Sequence, residues 1–127
     1  MEYVRVIAAA LAAFAFGAGW YIAMARPWMA ASGVTAEQQR RGGAKPFVIG
    51  LVAMVLVAGM MRHVFATGGV ATLGAGVVSG AGIGAFLVMP WVAMNYAFAQ
   101  RPVALTVIDG VNAIAGCAII GAVLTLL

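Results

Sequence analysis

Four apolar runs, each about the length of a membrane-crossing helix, set the limits on this chain. They cover about 3–25, 46–65, 70–96 and 103–127. Crossing the hydrocarbon core takes about 20 apolar residues in a helix. The balance of residue types agrees: 65% are hydrophobic and 8% are charged, against near half and about a quarter in soluble domains. The runs are apolar on all sides, whereas strands of a membrane β-barrel alternate in polarity. The chain is therefore read as a single transmembrane domain, 1–127, of the all-α class. The architecture expected is an integral membrane, antiparallel four-helix bundle, because short connections after the second and third runs force antiparallel neighbours.

The first run is rich in alanine, which gives a thin helix that a neighbour can approach closely. Trp20 and Tyr21 arrive at its end, where amphipathic rings suit the headgroup layer, and Arg26-Pro27 should end the span. Its length and flank are those of a retained spanning helix rather than a cleaved signal. The connection 26–45 is the only long polar stretch and is read as a cytoplasmic interfacial loop. Within it Thr35 and Gln38 have the spacing of a capping box, so a short helix should start there. Pro46 suits the first turn of the second span, and Thr67-Gly68-Gly69 should turn the chain.

The third span carries Gly76, Gly80 and Gly84 at four-residue spacing. In an apolar helix that spacing makes a thin face for packing, either within the chain or between copies. Pro90 should kink the helix about two turns before its end, and Trp91 and Tyr96 are read as markers of the membrane interface. Ala97 to Pro102 forms the hairpin into the fourth span, which holds Asp109, the only acidic residue within any apolar run.

Charge sets orientation. The first and third connections carry Arg26, Arg40, Arg41, Lys45 and Arg101, while the opposite side has Arg5, Arg62 and His63. The positive-inside rule then puts both termini outside the cytoplasm in a multi-pass inner-membrane protein. The same placement at segment ends explains the net charge of +4, so nucleic acid is not expected as a partner. The lipid bilayer is the expected partner, with a homo-oligomer or a larger membrane complex beyond it.

The end of the first run and the last hairpin carry a family resemblance. Gly17-Ala18-Gly19-Trp20-Tyr21, then Trp28, then Asn95 with Phe98 and Arg101-Pro102, and finally Asp109-Gly110 keep their order and spacing over nearly the whole chain. The chain resembles a family of small bacterial four-helix membrane proteins known as domain of unknown function 1761. The resemblance implies the fold but no activity, substrate or cofactor. This chain departs from the pattern in having Tyr96 where an acidic residue is expected beside Asn95, which weakens an acidic role there.

Asp109 lies about two turns into its helix, roughly 10 Å from the end at 1.5 Å per residue. A charge at that depth costs a few kcal/mol unless it faces protein or water and has a partner. Antiparallel topology gathers Asp109, Asn95, Asn112, Tyr21, Trp20, Arg26 and Arg101 near one face. Two readings stand. In one, this is a polar pocket that binds a small ligand or passes protons. In the other, Asp109 is a structural tie, paired with Arg26 or Arg101 or bonded by Tyr21 and Asn95.

Elsewhere the chemistry is thin. His63 is the single histidine, with no Cys or carboxylate near it, so no metal site is read. Cys117 is read as a small buried apolar residue, and the eight Met as gap-filling core. Gly80 to Gly84 lacks the Lys-Ser/Thr of a phosphate loop, and no serine–histidine–acid set shares a depth. No catalytic group and no cofactor is expected. The function expected is a small integral membrane protein that packs through thin Gly/Ala faces as an oligomer or accessory subunit. The alternative is a small transporter or channel with a polar pocket around Asp109.

Overall fold

The computed structural model describes residues 2–127, and among them no strand occurs. The helices are α1 (Glu2–Ala23), α2 (Ala25–Ser32), α3 (Ala36–Gly42), α4 (Lys45–Gly68), α5 (Leu73–Ile83), α6 (Met89–Phe98) and α7 (Val103–Leu126), with a π-helical turn, Gly84–Val88, joining α5 to α6. Four helical stretches, Glu2–Ala23, Lys45–Gly68, Leu73–Phe98 and Val103–Leu126, are long and apolar enough to cross a membrane. This fits a multi-pass membrane protein.

The boundaries differ from the sequence reading in informative places. The first span ends at Ala23 rather than at Arg26-Pro27. Pro27 instead sits in the first turn of α2, where the backbone N–H has no helical acceptor to lose. The connection 26–45 is largely helical, with α3 capped as the spacing suggests: the Thr35 side chain accepts from Gln38 N–H, and the Gln38 side chain accepts from Thr35 N–H. α4 runs through Thr67 and Gly68, and the chain turns at Gly69, whose φ of 72° costs glycine nothing. The third span then starts at Leu73 with Thr72 as its cap. Where a kink is expected at Pro90, the helix carries a π turn, Gly84–Val88, just before it. A proline ring collides with the carbonyl four residues back, and a π turn moves that carbonyl aside.

α7 is the centre of the packing. Of its most apolar window 39% is buried, against 17% for α1 and 11% each for α4 and for Leu73–Phe98. It packs against α5, the π turn and α6 on one flank and against α1 on the other, while α4 packs mainly on α1. The core follows this order. Ala9, Ala10 and Ala13 of α1 meet Ala58, Met61 and Phe65 of α4, and Cys117, Ile120 and Leu124 of α7. Alanines at that spacing keep the middle helix thin, so both neighbours come close.

The glycine ridge of α5 faces α7. A Cβ on Gly80 would overlap the Cys117 carbonyl, and one on Gly84 would lie 2.6 Å from the Ala113 oxygen and the Ile114 Cα. Gly76 and Gly121 face each other in the same way, each blocked by the other's carbonyl. The two backbones therefore touch directly. Without a hydrophobic drive between helices in lipid, close van der Waals packing of this kind holds them together.

A pocket built on Asp109

The hairpin between α6 and α7 sets the depth of the site. α6 ends in a Schellman turn: Arg101 N–H donates to Tyr96 C=O at 2.9 Å, and Gln100 N–H donates to Ala97 C=O at 3.1 Å. Gln100 takes the left-handed position of that turn with φ 57°, a place glycine usually holds. The turn returns the chain so that Asp109, in the second turn of α7, stands beside Tyr96. The Tyr96 hydroxyl donates to Asp109 Oδ2 at 2.5 Å.

From the other flank α1 brings two consecutive residues. The Tyr21 hydroxyl donates to Asp109 Oδ1 at 2.5 Å. Trp20 Nε1–H donates to the Ile108 carbonyl at 3.0 Å. Each oxygen of the carboxylate thus holds one phenol, and both bonds are in the short range of hydroxyl–carboxylate pairs. Trp20 stacks on Phe16 one turn earlier, with ring centroids 6.4 Å apart, and Tyr21 meets Trp28 of α2 edge-on at 6.3 Å. The rings are therefore braced within α1 and by α2 where they meet α7.

Between α1, α4, α6 and α7, beneath α2 and α3, lies a cavity of about 750 Å³. Tyr21, Tyr96, Asp109 and Asn112 form its polar wall. Ala13, Phe14, Gly50 and Met54 form an apolar wall, and Trp28, Gln39, Ile22 and Phe47 stand at its rim. Ile22, Gln39 and Phe47 are exposed. Gly17 faces Asn112, whose Oδ1 would lie 3.4 Å from a Cβ there, at ordinary contact distance. Among the described residues Asp109 is the single charged one of the lining. Chemically, this is a half-buried carboxylate held by neutral donors, with acceptor capacity left over and a phenol on either side.

The gathered residues of the sequence reading separate into three groups. Asp109, Tyr21 and Asn112 line the cavity, and Trp20 fixes α1 to α7 one residue away. Asn95 is exposed and points elsewhere, since neighbouring helical positions are about 100° apart. Its place against Asp109 is taken by Tyr96, the residue that had weakened the expectation of a site here. Arg26 is exposed, and neither it nor Arg101 pairs with Asp109. Arg101 instead donates to the Ser32 carbonyl at the C-terminal end of α2, where a cation also meets the negative end of the helix dipole. Among the described residues the ion pairs are Arg41–Glu37, within α3, and Arg62–Glu2, at the far end of α1 and α4. Tyr96 and Trp28 line the cavity although neither is read as a site residue from the sequence, where Tyr96 looks like an ordinary interface ring. Only the rotation of α6 shows that Tyr96 faces inward.

Gly76, Gly80 and Gly84 lie outside the cavity, buried against α7. Among the described residues no three His, Cys, Asp or Glu stand together as metal ligands.

No curated protein and no solved structure matches the chain. Residues 4–125 match the family described as a protein of unknown function (DUF1761), nearly the whole chain, and the chain belongs to that family.

Proposed function

We propose that this is a small membrane-embedded carrier whose cavity takes up a ligand at Asp109. The observation that carries this reading is the cavity of about 750 Å³ in which Asp109 is the only charged lining residue among those described. Ligand sites typically span about 300–1,000 Å³, mostly apolar with a few converging polar groups. A carboxylate at membrane depth is by default a functional group, because burying it has a cost that a purely apolar helix avoids. On the positive-inside reading the rim at Trp28, Gln39 and Phe47 faces the cytoplasm of a cell with an inner membrane.

An oligomeric or accessory role rests on thin faces left free for another chain. The main such face, Gly76, Gly80 and Gly84, is covered by α7 of the same chain, which removes that support. For an enzyme reading, the described residues offer only the two phenols as ionisable partners of Asp109.

Water access tests the carrier reading. Met54 lines the cavity, whereas Leu56, two residues on along α4, is 69% exposed on the outer surface. In a Cys117→Ala background reconstituted in nanodiscs, a water-soluble thiol reagent should label Met54→Cys and spare Leu56→Cys. If both stay unlabelled, the cavity is dry and Asp109 is a structural tie.

A further inference from the structure

We infer that the ligand of this cavity is an amphipathic organic cation, an alkylammonium whose head sits at Asp109 and whose tail lies along the apolar wall. The inference rests on the carrier reading and names its ligand class.

Charge is the first argument. The carboxylate of Asp109 is met only by neutral donors, the Tyr21 and Tyr96 hydroxyls. Among the described residues no arginine, lysine or histidine pairs with it, and no basic side chain lines the cavity. A carboxylate at membrane depth without a cationic partner is complemented by a cation and repels an anion. Hydrogen-bond capacity is the second. An ionised carboxylate has about four acceptor positions. The two phenols use one on each oxygen, which leaves acceptors for the N–H groups of an ammonium.

The aromatic rings are the third argument. Tyr21, Tyr96 and Trp28 line the same end of the cavity, and ring faces attract cations, most of all ammonium groups. Tyr21 and Trp28 meet edge to face at an interplanar angle of 79°, so they form a corner rather than a stack. Shape is the fourth. The lining beyond the polar end is Ala13, Phe14, Gly50 and Met54, which gives an alkyl chain an apolar bed and a hydrated metal ion none. One carboxylate with two phenols and an amide is also a poor donor set for a transition metal, which selects imidazole or thiolate.

Binding is tested on the purified full chain in a nonionic maltoside detergent, with radiolabelled decylammonium as the probe in a scintillation proximity assay. Saturable binding is expected, with decyl sulfate failing to compete. Asp109→Asn should weaken binding by at least about tenfold, the scale of a lost charged hydrogen-bond partner. Trp28→Leu should weaken it by about threefold or more through the lost ring face. The second variant leaves both phenol–carboxylate bonds in place, so the test survives if Asp109→Asn does not fold. Displacement by phosphatidylethanolamine, which shares the primary ammonium, would make the source a lipid headgroup; indifference to it would make the source a free amine, and both outcomes keep the ligand class. Absent binding, equal binding of decyl sulfate, or unchanged affinity in both variants overturns it. If Met54→Cys labels while decylammonium does not bind, the ligand class alone fails and the wet cavity stands.

Discussion

Tyr96 and Asp109 face each other across the α6–α7 hairpin, the phenol donating to Oδ2 at 2.5 Å between residues 13 apart in the chain. Tyr21 answers from α1 on the other oxygen. A single carboxylate therefore joins three helices, and the Trp20 Nε1–H bond to the Ile108 carbonyl reinforces its α1–α7 side. The same joint forms part of the cavity wall.

The two tyrosines should be coupled through Asp109. Tyr21→Phe and Tyr96→Phe are each expected to cost about 1 kcal/mol, the scale of interhelical hydrogen bonds in membranes. Because they share one acceptor, the double variant should differ from the sum of the singles by about 0.5 kcal/mol or more. Thermal unfolding of the four proteins in maltoside detergent measures this. Strict additivity would mean that the two bonds act independently.

Gly80 and Gly82 give a matched pair on one helix. A side chain at Gly80 runs into the Cys117 carbonyl, while nothing lies within 4 Å of one at Gly82. Gly80→Leu should therefore separate α5 from α7 at a cost of about 1–3 kcal/mol or more. Gly82→Leu should stay within about 0.5 kcal/mol of the parent. Reversible unfolding in mixed micelles separates the two.

Gln100 holds the left-handed position of the Schellman turn at φ 57°. Left-handed backbone costs a residue with a side chain about 1–2 kcal/mol, and glycine little. Gln100→Gly is expected to raise stability by about 1 kcal/mol, less whatever the freer unfolded chain gains. A lower melting temperature would mean that the Gln100 side chain makes a contact worth more than the strain.

Arg101 fastens α2 to the hairpin through the Ser32 carbonyl. Arg101→Ala should speed amide hydrogen exchange across Ala25–Ser32 and leave α7 unchanged. Equal exchange in both proteins would show that α2 is held by its packing on α7 alone.

The parts of this account visible in the sequence are those fixed by local chemistry. Apolar length marks the four long helices, Thr35 and Gln38 mark the cap of α3, and the spacing of Gly76, Gly80 and Gly84 marks a face that packs closely. Depth also follows from topology, which is why Asp109, Tyr21 and Asn112 fall at one level. Rotation does not follow. Asn95 and Tyr96 are neighbours in the chain, yet Tyr96 faces Asp109 and Asn95 is exposed. The arginines were misleading for a related reason. Long side chains at a helix end reach several partners, and Arg101 meets the end of α2 rather than Asp109. The start of α2 at Ala25 shows the limit of a proline as a boundary marker, since Pro27 opens a helix as readily as it ends one.

The central claim is that Asp109 stands in a cavity reached by water. The most direct test is the infrared difference spectrum between the parent chain and Asp109→Asn in nanodiscs, recorded while bath pH and H₂O/D₂O are changed. With 3 acidic side chains in the sequence, the difference isolates the Asp109 bands. The account predicts bands that respond to bath pH and shift within the mixing time in D₂O. Bands fixed at every pH, with no deuterium shift until the protein unfolds, would contradict it and leave Asp109 as a dry tie between α1, α6 and α7.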